Sequence, residues 1–123
     1  MSYDYILFRP KEAVASYRDI SDKHLSSLGT TETVKNWLRD AHPSIQWATT
    51  AGQLWGVLHI DGTSLEIILG DATQQEILSI SIKTSFRTES RQAIQGIADI
   101  LGLTGMDMQT CELIRPQSTI QPD

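Results

Sequence analysis

The stretch Gln53-Leu-Trp-Gly-Val-Leu-His-Ile60-Asp-Gly-Thr-Ser-Leu-Glu-Ile-Ile-Leu-Gly70-Asp-Ala-Thr-Gln-Gln-Glu-Ile-Leu-Ser-Ile80-Ser-Ile-Lys83 decides the fold. Three short apolar runs of period-two character are separated by turn residues, the pattern of an antiparallel meander. In the first run Leu54, Gly56, Leu58 and Ile60 share one face, and Trp55, Val57 and His59 share the other. Asp61-Gly62 is a hairpin signal, and a two-residue or a four-residue loop there leads to the same parity. Leu65, Ile67 and Leu69 then continue the face of Leu58, while Glu66 and Ile68 join that of Trp55. The third run sets Leu78, Ile80 and Ile82 against Ser79, Ser81 and Lys83. One face of this sheet is therefore made to meet helices, and the other is mixed.

Upstream, Ala51-Gly52 turns the chain back onto a strand over Ile45–Thr49. Before it, Thr30 or Thr31 caps a helix running to about Ala41, in which Val34, Trp37, Leu38 and Ala41 form one apolar stripe. Pro43 ends that helix and pushes His42 away from helical angles. Lys11–Thr30 has a weak pattern, read as a long connection holding a short helix between Ala13 and Ile20. Tyr3–Phe8 is a first strand, apolar on both faces and so suited to a central place in the sheet.

Downstream, Thr88 opens the best helix, with Ile94, Ile97, Ala98 and Leu101 on one side, Gly102 just past its end and Leu103 as the apolar contact that follows. Met106–Ile114 reads as a last strand, and 116–123 as a flexible C-terminal tail. Adjacent strands flanked by helices exclude a regular βαβ repeat. The expectation is one α+β domain over 1–115: a mainly antiparallel sheet of about five or six strands with two main helices packed on one face.

The chain has 123 residues, 40% of them apolar and 20% charged, a globular composition able to bury one core without staples. No apolar run approaches the roughly 20 residues that cross a bilayer, so no membrane partner is expected. The opening Met1–Pro10 lacks the order of a signal peptide, which makes cytoplasmic residence the expectation. A net charge of −5 argues against nucleic acid and permits a basic protein partner. Cys111 is alone, which excludes an intrachain disulfide or a cysteine-rich zinc site and suggests a half-buried thiol.

His24, His42 and His59 are scattered and lack metal-ligand spacing; Asp19 and Asp22 beside His24 read as a solvated turn. Nucleophile elbow, phosphate loop and dinucleotide fingerprint are all missing from the sequence. No catalytic residue, metal or cofactor is expected. What stands out is charge: between Arg39 and Lys83 there is no Lys or Arg, and the meander carries Asp61, Glu66, Asp71 and Glu76. An aromatic anchor bordered by charge is how tight interfaces distribute their energy. The candidate partner-binding set is Trp55, His59, Asp61, Glu66, Ile68, Asp71 and Glu76.

The Ser2-Tyr3-Asp4-Tyr5-Ile6-Leu7-Phe8 opening, the size and the acidic meander resemble the small acidic bacterial immunity proteins paired with polymorphic toxins of contact-dependent, type VI or Rhs systems. That resemblance implies a cognate basic toxin, such as a nuclease engaged through its substrate groove, held tightly enough to occlude its active site. No covalent chemistry is implied. Two other readings stay open: a self-associating scaffold domain, a homodimer through Trp55, Val57 and Ile68, and a small enzyme with a sheet-helix pocket using His59 with Glu66.

Overall fold

The computed structural model describes residues 3–12, 18, 21–60, 62–84 and 88–116. Its strands are β1 (Tyr3–Pro10), β2 (Leu25–Ser26), β3 (Gln46–Thr50), β4 (Gln53–Ile60), β5 (Thr63–Asp71), β6 (Ser79–Thr84), β7 (Thr104–Asp107) and β8 (Glu112–Ile114); its helices are α1 (Thr31–Ala41) and α2 (Thr88–Leu101). Seven strands form an antiparallel sheet in the order β3-β4-β5-β6-β1-β7-β8, and β2 pairs with the end of β1. This is the α+β class that the sequence predicts. Strand β1, apolar on both faces, lies between β6 and β7.

Two rows of paired residues run across all seven strands. Trp47, Gly56, Ile67, Ile82, Tyr5, Asp107 and Glu112 make one; Ala48, Trp55, Ile68, Ser81, Ile6, Met106 and Leu113 make the next, on the opposite face. The first face meets Val34 and Leu38 of α1 and Ile94, Ile97, Ala98 and Leu101 of α2 in the main core. Each such fully buried aliphatic side chain is worth about 1.5–3 kcal/mol relative to exposure, so α1 and α2 are held by their stripes rather than by propensity. The second face carries a smaller cluster of Phe8, Leu25 and Met106, against which Ile6, Leu78 and Leu113 pack.

Both helix ends follow their sequence signals. Thr30 has extended dihedrals and its hydroxyl accepts from the Thr33 N–H at 3.1 Å. At the far end of α2, Gly102 takes φ +66° and the Leu103 N–H donates to the Ala98 carbonyl at 3.0 Å, the long-range bond of a Schellman cap. Strands β4 and β5 stay in register except for a bulge where Leu54 pairs with Gly70, whose φ of +90° suits glycine.

Four expectations change. The sheet has eight strands among the described residues, not five or six, partly because Met106–Ile114 is a hairpin of β7 and β8 rather than one strand. Its turn is made by Asp107, whose Oδ1 accepts from the backbone N–H of Gln109 at 2.9 Å and of Thr110 at 3.3 Å. Leu78 does not face the helices: β6 starts only at Ser79, Ile77 fills the core position, and Leu78 joins the second cluster. Cys111 is exposed at φ +62° in the same turn, not half-buried. In the Lys11–Thr30 connection, a 3-10 turn at Asp22–His24 precedes β2, whereas the helix expected within 13–20 falls almost wholly, and the tail beyond Pro116 wholly, outside the described residues.

Two glycines test the packing in opposite directions. A Cβ on Gly56 would lie 2.7 Å from Ile45 Cγ2 and 2.9 Å from Trp47 Cε3, whereas one on Gly96 in α2 meets nothing within 4 Å. Gly56→Ala should therefore destabilise the fold by about 1–3 kcal/mol, and Gly96→Ala should stabilise it by up to about 1 kcal/mol. Urea denaturation reads both. His42, after α1, is half-buried with φ −138°, and burial holds its pKa below the ordinary imidazole value. Below about pH 6.5 the unfolded chain then binds the proton more readily than the folded one. Stability should fall as pH drops from that point toward the depressed pKa, and His42→Gln should flatten the urea midpoint over that window.

Candidate protein-binding face

The face opposite the helices is assembled by the β4-β5 hairpin. Trp55 and Ile68 are direct cross-strand partners, and Val57 opposes Glu66 two rows on, on the same face. Trp55, Val57 and Ile68 are half-buried and belong to neither hydrophobic cluster. The Trp55 indole N–H donates to Thr50 Oγ1 at 3.1 Å, so its polar end is satisfied and the ring leans over β3. The indole is thus outside the helical layer, where alternation along β4 puts it.

Around this strip the polar residues differ in what they do. His59 is exposed and its Nδ1 shares a 2.7 Å hydrogen bond with Ser64 Oγ, its cross-strand partner. Glu66 is exposed and faces Lys83 across β5-β6, while Lys83 in turn faces Asp4 across β6-β1. The acids of this face are consequently tempered by one lysine, placed there by register rather than by sequence proximity. Asp71 lies at the rim, paired with Gln53. Its Oδ1 accepts from the Thr73 N–H and hydroxyl, each at 2.8 Å, and these bonds hold its pKa below the ordinary carboxylate value. It stays ionised at neutral pH.

Glu76 belongs to the exposed loop before β6, where its carbonyl accepts from Gln74 Nε2 at 2.7 Å; no strand pairing places it beside Trp55. Asp61 lies outside the described residues. Of the seven predicted positions, the fold brings Trp55, His59, Glu66 and Ile68 onto one surface with Asp71 at its edge. Sequence reasoning, which put Ser81 on this side, left out the continuation of the same face over Ile6, Met106 and Leu113, which pack in the second hydrophobic cluster. The apolar second face of Tyr3–Phe8 was the available signal for it.

A second polar cluster has the residue types of an active site. Asp107, 2% exposed, pairs through Oδ2 with Arg91 at 3.5 Å, and Arg91 reaches Glu112 at the same distance. Beside it the Tyr5 phenol is pushed above its ordinary pKa by burial, against the opposing effects of a hydrogen bond with Ser90 and the Arg91 charge. The carboxylate is already occupied. Besides Arg91 and the two backbone N–H groups, its Oδ1 accepts from Gln109 Nε2 at 2.7 Å, and Gln109 also clasps the backbone of Asp4 through bonds of 2.7 and 3.1 Å. The cluster ties α2 to the β7-β8 hairpin and to β1. Asp107→Ala leaves those donors without their acceptor. Because Arg91 is partly exposed, the loss in urea stability should be about 2–3 kcal/mol.

No protein-family model, curated protein or solved structure matches this chain.

Proposed function

We propose that this protein is a non-catalytic binding protein of the immunity type, which neutralises a cognate basic toxin by docking it on the β4-β5 face. The observation that carries the reading is the direct Trp55–Ile68 pair, a half-buried apolar strip outside both hydrophobic clusters with a ring of polar and ionised groups beside it. Such a strip supplies affinity through the aromatic anchor, while Glu66 and Asp71 favour encounter with a positive surface such as the substrate groove of a nuclease. With Asp4 they make three acids against Lys83, a local balance of the same sign as the whole chain's −5. The mechanism is occlusion.

The enzyme reading is the weaker one, since His59 and Glu66 are both exposed on the sheet surface and the buried carboxylate elsewhere is saturated. The test is coexpression with the product of the adjoining gene, followed by size-exclusion chromatography and measured association. A joint complex is expected. Trp55→Ala should weaken it by at least about thirty-fold, Glu66→Lys should mainly slow association, and Ile100→Ala, on the exposed side of α2, should leave it unchanged. Separate migration of the two proteins at micromolar concentration would refute the reading.

A further inference from the structure

The two edges of the sheet are unequal. Strand β8 has only three residues, carries Glu112, and is followed by Arg115 and Pro116; the Arg115 carbonyl accepts from Gln95 Nε2 of α2 at 2.8 Å. Short length, charge, proline and a covering helix are the devices by which sheets block unwanted pairing. Strand β3 has none of them. It is five residues long, Gln46-Trp-Ala-Thr-Thr50, without charge, proline or glycine, and only Trp47 among them is not exposed. Its pairing with β4 is unbroken, so no bulge turns the edge away.

Charge says what can approach it. From Ala41 to Ile60 the chain contains no Asp, Glu, Lys or Arg, a neutral patch in a protein of net charge −5. A second copy, repelled elsewhere by like charge, meets no such repulsion at this edge. We infer that β3 pairs antiparallel with β3 of a second copy of this chain, about a two-fold axis at Ala48, joining the two eight-stranded sheets into one.

That register matches the residues. Gln46 faces Thr50 of the second copy, Trp47 faces its Thr49 in a favourable aromatic–β-branched pair, and Ala48 faces itself. On the side away from the helices, Ala48 is the row neighbour of Trp55, whose ring already leans toward the edge through its bond to Thr50. The two-fold therefore continues the apolar row Ile68–Trp55–Ala48 into Ala48–Trp55–Ile68 of the mate. The pairing itself is a backbone contact at the strand edge, next to the toxin-docking face, and it does not require that proposal to hold.

The test uses the protein alone. Sedimentation of the wild type should give a mass about twice 13.7 kDa at high concentration. Ala48→Lys and Ala48→Glu, which place like charges directly opposite across the axis, should each weaken self-association by at least about tenfold. An equimolar mixture of the two variants should restore the dimer, because opposite charges then meet. As a control on the unmodified chain, amides within 46–50 that point away from β4 should gain protection from hydrogen exchange as concentration rises. A wild type that stays monomeric, a dimer indifferent to both Ala48 substitutions, or edge amides whose exchange ignores concentration would overturn the inference.

Discussion

Register is the constraint on which this molecule depends. The row Trp47–Gly56–Ile67–Ile82–Tyr5–Asp107–Glu112 crosses seven strands on the helical side, and its neighbour from Ala48 to Leu113 crosses the same strands on the other. Slipping any one strand by a single residue would exchange its core set for its outer set. Leu58, Leu65, Ile67, Ile80 and Ile82, all at most 2% exposed, oppose that slip at once. The position of the outer strip is therefore a consequence of core packing: Trp55 and Ile68 face outward because Gly56 and Ile67 are needed inside.

Much of this was legible in the chain because alternation in Leu65–Leu69 and Ser79–Lys83 has only one solution when a helical layer must be covered. The helix ends were legible for the same local reason, since Thr30, Pro43 and Gly102 act on neighbouring backbone and need no tertiary information. What stayed hidden depends on contacts distant in sequence. Asp107 sits in a stretch that reads as strand; its bonds to the Gln109 and Thr110 N–H groups make a turn there, and Arg91, reaching it from α2, and the Gln109 clasp on Asp4 hold that turn against the sheet. Lys83 was visible as the end of a lysine-free stretch, but its place between Glu66 and Asp4 comes from pairing three strands. Leu78 shows the limit of parity itself, which applies only within a strand, and β6 begins one residue later.

The polar inventory divides into groups bonded within the fold and groups that face outward. Asp107, Gln109 and Arg91 spend their hydrogen bonds within the fold, as does the hydroxyl of Thr31, which donates to the Asp71 carbonyl at 2.7 Å and anchors α1 to the loop after β5. The β4-β5 surface instead presents groups whose local bonds, such as Trp55 to Thr50 and His59 to Ser64, leave an aromatic face and charged ends directed outward. That division supports recognition on the outer face and a mainly structural role for the Asp107 cluster.

Isoleucine methyl spectra, followed while the adjoining gene's product is titrated into this protein, examine that division without altering either molecule. Ile68 on the outer strip and Ile100, 58% exposed on α2, report from opposite sides of the sheet. The account predicts that the Ile68 resonance shifts or broadens on binding while Ile100 stays in place; a response at Ile100 with Ile68 unmoved would contradict it.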